Sequence, residues 1–206
     1  MPLDKNLSTD VVVVGGGIAG AVTAYFILRD TNKKVLLLEA DKVAHGATGH
    51  NAGQITSYFE RPFADIAEEF GVELAAEGQK AIESAWDLLD EIYGEARLQT
   101  PKHRFMGHTG YTTIEQVLLN LKNNAYRRRG GLHAEHILIA EDSGAAKEIP
   151  HEYKELYTFV PRKDLLALLE TNNQNYIASA SYEKGCMNSA LFTEELLVSV
   201  NPLLKL

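Results

Sequence analysis

Three glycines between a run of valines and a helical segment constrain the fold of this chain more than any other feature. Gly15, Gly17 and Gly20 spell G-x-G-x-x-G directly after the strand predicted for Asp10–Val14. In such a pattern the first glycine allows a tight turn, the second lets the backbone approach a phosphate, and the third allows a helix to pack closely on a strand. The helix predicted for Ile18–Arg29 then directs its first N–H groups, aided by the helix dipole, toward the phosphates.

A second apolar strand and an acidic residue complete this pattern. Val35–Leu38 is predicted as a strand parallel to the first, and Glu39 follows it directly. A carboxylate at this place accepts hydrogen bonds from both ribose hydroxyls, and it repels a cofactor that carries a 2′-phosphate. The glycine pattern alone is weak evidence for dinucleotide binding, since three glycines can mark any loop. The order strand, helix, strand and acid predicts a right-handed, dinucleotide-binding βαβ unit over Asp10–Glu39.

Composition and charge restrict the partners and the location. Of the 206 residues, 45% are hydrophobic and 23% are charged, which is ordinary for a globular protein. The formal net charge of -8 disfavours nucleic acid and membrane surfaces as partners. Cys186 is the one cysteine, so an internal disulfide is excluded, and residues 1–9 lack the features of a secretory signal. The expected location is the cytoplasm, and the oligomeric state does not follow from the sequence.

Helical and extended patterns alternate through the rest of the chain. Apolar spacing predicts helices at Phe63–Phe70 and Val72–Tyr93 and assigns Trp86 to the core. The run Arg127-Arg128-Arg129 before two glycines is interpreted as a helix C-terminus rather than a phosphate site. Further predicted elements are extended segments at Lys102–Thr112, His136–Ala140 and Tyr176–Ala180, a capping box at Thr113–Gln116, a helix at Arg162–Glu170, and a last helix from Asn188 or Ser189 through Val200.

The segment His45–Gln54 is rich in small residues and indicates which dinucleotide is expected. It reads HGATGHNAGQ. Together with the glycine pattern, it resembles the FAD-dependent amino-acid and amine oxidoreductases of the D-amino-acid oxidase and glycine oxidase superfamily. Members of that family carry a Gly-Ala-Ser/Thr segment and an Asn-Gly/Ala-Gly segment shortly after the acidic residue. There this loop runs along the pyrophosphate and ribityl chain of the flavin, and small side chains let backbone N–H groups come that close.

The resemblance implies FAD as the cofactor and a small-molecule amine or amino acid as the substrate. The residues that it assigns to cofactor binding are Gly15, Gly17, Ile18, Ala19, Gly20, Glu39, Ala40, Gly46, Ala47, Thr48, His50, Asn51, Ala52 and Gly53. No catalytic residue is assigned, because the flavin accepts the hydride and the protein mainly orients the substrate. No metal site is expected, because the histidines show no metal-ligand spacing.

His50 has two interpretations. Many relatives carry arginine at about this position, whereas some that oxidise dimethylglycine or sarcosine carry a histidine that is linked covalently to the flavin. The plainer interpretation is a loop histidine hydrogen-bonded to backbone or phosphate, and it is preferred here.

A looser resemblance at Gly185–Phe192 indicates the return of the chain from the substrate side into the FAD-binding domain. The expected fold is therefore α/β: a Rossmann-like FAD-binding βαβ unit with a mostly helical second region, incomplete. The predicted domains are 1–61, the N-terminal part of the FAD-binding domain; 62–187, a substrate-side region; and 188–206, the start of the return. Family members are much longer, so the chain is expected to be an N-terminal fragment.

Two other functions stay open at this point. One is a truncated, non-catalytic remnant that binds a nucleotide at most. The other is an NAD-dependent dehydrogenase, for which the chain shows no conventional substrate domain.

Overall fold

The structure, a computed structural model, describes residues 6–200 and divides them into two compact units. The first unit holds the chain up to Ile55, the segment Asp87–His103 and the part from Gly185 onward, and the second holds Thr56–Trp86 and Arg104–Lys184. The sequence-based division had placed 87–103 in the second region. Residues 1–5 of the segment tested for a signal, and 201–206 of the predicted return, lie outside the described residues.

Within residues 6–200 the chain forms seven strands, seven α-helices and four short 3₁₀ helices. The strands are β1 Val11–Val14, β2 Val35–Leu38, β3 Gln54–Ile55, β4 Lys102–Tyr111, β5 Ile137–Ala140, β6 Tyr157–Val160 and β7 Ala178–Met187. The helices are α1 Ile18–Asp30, α2 Phe63–Phe70, α3 Val72–Glu83, α4 Ala85–Ala96, α5 Ile114–Arg129, α6 Arg162–Leu168 and α7 Ser189–Val200. This mixture of helices and strands confirms the predicted α/β class.

The βαβ unit of the first unit is present as predicted. Strands β1 and β2 are parallel, with Val11 opposite Val35 and Val14 opposite Leu38. Helix α1 packs on them and contacts α7, and the core between these elements contains Phe192, which is fully buried. Burial of such apolar area stabilises the layer by about 25 cal/mol per Å².

Strand β1 is covered on one face only, although an uninterrupted run of valines is typical of a strand that is buried on both faces. Val13 faces the core, whereas the intervening Val12 and Val14 are 51% and 81% exposed. Successive side chains of a strand point to opposite faces, and α1 covers only one of them. Within residues 6–200, the outward valines therefore lie open to solvent.

The second unit contains a sheet as well as the helices predicted for it. Strand β5 lies between β6, to which it is parallel, and the N-terminal half of β7, to which it is antiparallel. Strand β6 had not been predicted. Ile137 and Ile139 of β5 are fully buried against α5, which supplies Val117 and Leu121 to the same core.

The single long helix predicted for Val72–Tyr93 is wrong, because the chain forms two helices that are separated at Ser84. The hydroxyl of Ser84 donates to the carbonyl oxygen of Ala81 at 2.8 Å and so competes with the helical hydrogen-bond pattern. Trp86 follows this break. It belongs to no core cluster, is half-buried, and carries the guanidinium of Arg104 over its ring at 4.4 Å, so its assignment to the core is also wrong.

The predicted helix ends are confirmed where side chains determine them. Thr113 and Gln116 form the predicted capping box at the start of α5, and that helix ends at Arg129 as the arginine run indicated. Asn188 accepts the N–H of Leu191 at 3.1 Å and caps α7. No helix within residues 6–200 has both the length and the apolar composition needed to cross a bilayer.

Candidate functional site

The turn between β1 and α1 depends on two of the three predicted glycines. Gly15 has a φ of +102°, a conformation that favours glycine, and its N–H donates to the carbonyl oxygen of Leu38 at 2.7 Å. A Cβ on Gly20 would overlap the carbonyl oxygen of Gly15. Glycine at these two positions therefore lets α1 begin immediately beside the end of β1.

Glu39 lies at the end of β2 and is held by the backbone of the neighbouring turns. Its Oε2 accepts the N–H of Gly16 at 2.6 Å, and its Oε1 accepts the N–H of Asp41 at 3.0 Å. These bonds, with that of Asp41 the stronger influence, hold the pKa of the Glu39 carboxyl below its usual range. Each carboxylate oxygen can accept a second hydrogen bond, so Glu39 keeps capacity for ribose hydroxyls.

Thr48 binds the N-terminus of α1. Its Oγ1 accepts the N–H of Ile18 at 3.0 Å, and the side chain is buried. A Cβ on Gly17 would lie 3.0 Å from this oxygen, so the glycine keeps space for Thr48, whereas the glycine pattern alone indicates space for a phosphate. Within residues 6–200, no acceptor takes the N–H groups of Ala19 and Gly20, which are the donors that α1 retains for an anion.

The small-residue loop is ordered by the amide of Asn51. Its Nδ2 donates to the carbonyl oxygens of Ala47 at 3.0 Å and Thr48 at 2.8 Å, and its Oδ1 accepts the N–H of Gly53 at 2.7 Å. His50 is exposed, and its Nδ1 lies 2.9 Å from the carbonyl oxygen of Gly46. This backbone contact is the one expected of a plain loop histidine.

Ser189 was not among the predicted site residues, yet it joins the loop to α7. Its hydroxyl donates to the carbonyl oxygen of Thr48 at 2.6 Å and lies 3.0 Å from Asn51 Oδ1. The first residue of α7 thus contacts both Thr48, which binds the N-terminus of α1, and Asn51, which orders the loop. Ser189 lies more than 130 positions along the chain from its partners, so no local pattern could have revealed the contact.

The predicted residues fall into two groups. Gly15, Gly17, Ile18, Gly20, Glu39, Thr48, Asn51 and Gly53 are joined by the contacts above or by the hydrogen bond from Met187 to Gly53. Ala19, Ala40, Gly46, Ala47, His50 and Ala52 are exposed, and of these Gly46, Ala47 and His50 take part in the loop contacts described above. No group of three or more His, Cys, Asp or Glu within residues 6–200 is arranged to hold a metal ion.

These features fit the adenosine-diphosphate half of a dinucleotide. The turn at Gly15 leaves no Cβ at its tip, the N–H groups of Ala19 and Gly20 are available at a helix N-terminus, and Glu39 retains acceptor capacity at the end of the neighbouring strand. A pyrophosphate at such a helix end and a ribose at such a carboxylate are the arrangement that the glycine pattern predicts.

Comparison with protein families gives one match that covers most of the chain. Residues 10–197 match the family described as FAD dependent oxidoreductase. Among curated proteins, the γ-glutamylputrescine oxidoreductase of Escherichia coli is 34% identical over 73 residues, which are 35% of this chain and 17% of that protein. The Bacillus subtilis protein YhfW, whose name describes a Rieske 2Fe-2S iron-sulfur protein, is 29% identical over 84% of this chain and 30% of its own length.

Solved structures show the same fold. The L-α-glycerophosphate oxidase of Mycoplasma pneumoniae, with FAD bound, superposes with a TM-score of 0.63 at 17% identity and covers 97% of this chain and 44% of its own. The L-proline dehydrogenase of P. horikoshii gives 0.61 at 16% identity, with 97% and 43% covered. The chain thus spans less than half the length of these relatives. The predicted family and the predicted cofactor of that family are confirmed, and the alternative of an NAD-dependent dehydrogenase is not supported.

Proposed function

Because the chain belongs to the family of FAD-dependent oxidoreductases, we propose that its first unit holds the adenosine-diphosphate part of FAD and that the whole protein oxidises an amine or amino acid. The observation that carries the proposal is the position of Glu39. Its carboxylate follows β2, accepts the N–H of Gly16 at 2.6 Å, and so lies beside the turn that leads into α1.

The residues of the chain have separate tasks in this proposal. The N–H groups of Ala19 and Gly20 bind the pyrophosphate, and Glu39 accepts the ribose hydroxyls. Thr48 and Asn51 keep the small-residue loop in one conformation, with Ser189 supporting both. Bound FAD would supply the hydride acceptor for oxidation of a carbon–nitrogen bond.

The substrate class is supported by the relatives. The name of the Escherichia coli relative describes an oxidoreductase of an amine, γ-glutamylputrescine. The solved glycine oxidase of Bacillus cereus, at 15% identity and a TM-score of 0.54, shares the fold. An amine or amino acid is therefore the proposed substrate, and the cytoplasm remains the proposed location, to be checked by cell fractionation.

Titration of the chain with FAD tests the proposal directly. In Glu39→Gln the ribose loses a charged acceptor, so we expect FAD to bind about ten- to a hundredfold more weakly than to the unchanged chain. Asp41→Asn is the matched control, because it removes an equal charge two positions away and keeps the N–H that Glu39 accepts. Equal affinity in Glu39→Gln and the unchanged chain removes Glu39 from the site. Failure of the unchanged chain to bind FAD at all refutes the proposed role of this unit.

A further inference from the structure

The second unit contains a cavity that the cofactor site does not use. Its volume is about 740 Å³, which is ample for a small organic ligand. Residues of α3, α5 and β7 line it together with the segment Ser57–Phe63. All of its lining residues belong to the second unit, so the cavity can be analysed within that unit.

Negative charge exceeds positive charge in the wall of this cavity. The guanidinium of Arg127 is shared by two carboxylates, with Glu83 at 2.9 Å and Glu135 at 3.9 Å. The other lining guanidinium, Arg61, is paired at 2.7 Å with Glu69, which lies outside the cavity. The charge of each arginine is therefore already balanced by a carboxylate of the chain.

Two further carboxylates line the cavity and add to this excess. Glu183 lies 3.8 Å from Arg104, whereas Glu60 is exposed and forms no ion pair with any residue within 6–200. His133 also lines the cavity, and its carbonyl oxygen accepts the Nε–H of Arg127 at 2.7 Å. A cationic ligand is favoured by this balance, and an anionic one is opposed.

The amide of Gln79 offers an acceptor beside Glu83. Gln79 is 1% exposed and lines the cavity. Its Nε2 donates to the carbonyl oxygen of Ser57 at 2.7 Å and to Glu83 Oε1 at 2.9 Å, which uses both N–H bonds of the amide. No residue within 6–200 donates to its Oε1. Among the described residues, Ser179 Oγ is the one fully buried side-chain oxygen that lacks a partner, so Gln79 Oε1 is still accessible and can accept an N–H of an ammonium group beside Glu83.

The remaining walls suit the carbon chain of an amine. Phe59, Phe63, Trp86 and Tyr182 line the cavity, and aromatic faces attract ammonium groups as well as apolar stems. Asn124, whose Oδ1 accepts the N–H of Glu135 at 3.2 Å, presents its amide nitrogen as a donor for a neutral oxygen.

We propose that this cavity binds a small organic ammonium compound, with its charged nitrogen between Glu83 and Gln79.

Trp86 provides a direct measurement, because it is the one tryptophan of the chain and lines the cavity. We would titrate the full chain, without FAD, with 1,4-diaminobutane at constant ionic strength and follow tryptophan fluorescence. Butane-1,4-diol and succinate are the neutral and anionic probes of equal chain length, and MgCl₂ is a dication without N–H donors. We expect a saturable change with the diamine and none with the other three.

Two variants locate the charged nitrogen. Glu83→Gln keeps the shape of the side chain and the oxygen that Gln79 and Arg127 donate to, so the fold is expected to persist, while the dissociation constant of the diamine rises about tenfold or more. Glu148→Gln, an exposed residue outside the cavity, is the matched control and should leave the constant unchanged.

Several outcomes would overturn the inference. An equal response to MgCl₂ would show unspecific attraction to a chain of net charge -8. Unchanged affinity in Glu83→Gln would place the ligand elsewhere. A silent fluorescence titration followed by a flat calorimetric titration would show that the cavity binds no amine. Since FAD is absent throughout, none of these results bears on the proposed function of the first unit.

Discussion

Thr48 Oγ1 accepts the backbone N–H of Ile18 at 3.0 Å, so a side chain thirty residues downstream caps the first helix of the chain. Thr48→Val keeps the shape of the side chain and leaves this partly buried N–H without its acceptor. We expect a loss of about 1–2 kcal/mol in the free energy of unfolding, measured by urea titration. Thr23→Val, on the exposed side of α1, is the control, and an equal effect of the two changes would contradict the capping role.

The packing of α1 against the preceding turn gives a second prediction. In Gly20→Ala the new methyl group overlaps the carbonyl oxygen of Gly15, so α1 has to move away from β1. We expect destabilisation by about 3 kcal/mol or more. In Gly46→Ala none of residues 6–200 apart from the chain neighbours lies within 4 Å of the new Cβ, so the stability should change by less than about 0.5 kcal/mol. The melting temperatures of both variants are measured by thermal unfolding. Similar values for Gly20→Ala and Gly46→Ala would show that the close approach of Gly20 to Gly15 is unimportant for stability.

Glu195 on α7 gives a prediction about pH. Its carboxylate accepts the hydroxyl of Thr100 at 2.7 Å and the N–H of Gln99 at 2.5 Å, and these bonds hold its pKa below the usual range. A carboxyl with a lowered folded-state pKa stabilises the fold above its unfolded-state pKa, and this contribution disappears as the pH falls through the folded-state value.

We therefore expect Glu195→Gln to melt at a lower temperature than the unchanged chain at pH 7, and the difference to shrink below about pH 4. The neighbouring Glu194→Gln serves as the control. A difference between Glu195→Gln and the unchanged chain that stays constant with pH would mean that the charge of Glu195 is not involved.

His50 gives a prediction about how the flavin is held. Because the contact of its Nδ1 with the carbonyl oxygen of Gly46 fits the plainer interpretation of a loop histidine, we expect a non-covalent cofactor. Acid precipitation of the FAD-loaded protein should release all flavin into the supernatant. Flavin retained on the peptide that contains His50 would instead establish the covalent link that the sequence left open.

Local patterns predicted the elements that depend on neighbouring residues, and they failed where distant contacts decide. The βαβ unit, the capping box at Thr113 and the end of α5 each follow from residues within a few positions of one another. Strand β6 exists because β5 pairs with it in parallel, and Ser189 matters because the chain returns to Thr48. The position of Trp86 could not be predicted, since its spacing suited a helix face whereas its surroundings are a cavity.

The open valine face of β1 has a consequence for the chain in solution. Val12 and Val14 form an exposed apolar patch through which copies of the chain can associate. The net charge of -8 opposes this association, because it makes the copies repel one another. Salt shortens the range of that repulsion to about 10 Å at 0.1 M and leaves the attraction between apolar patches intact. Light scattering should therefore increase as salt is added, and the solubility of the chain should be highest in dilute buffer. A chain whose copies associate through opposite charges would show the reverse dependence on salt.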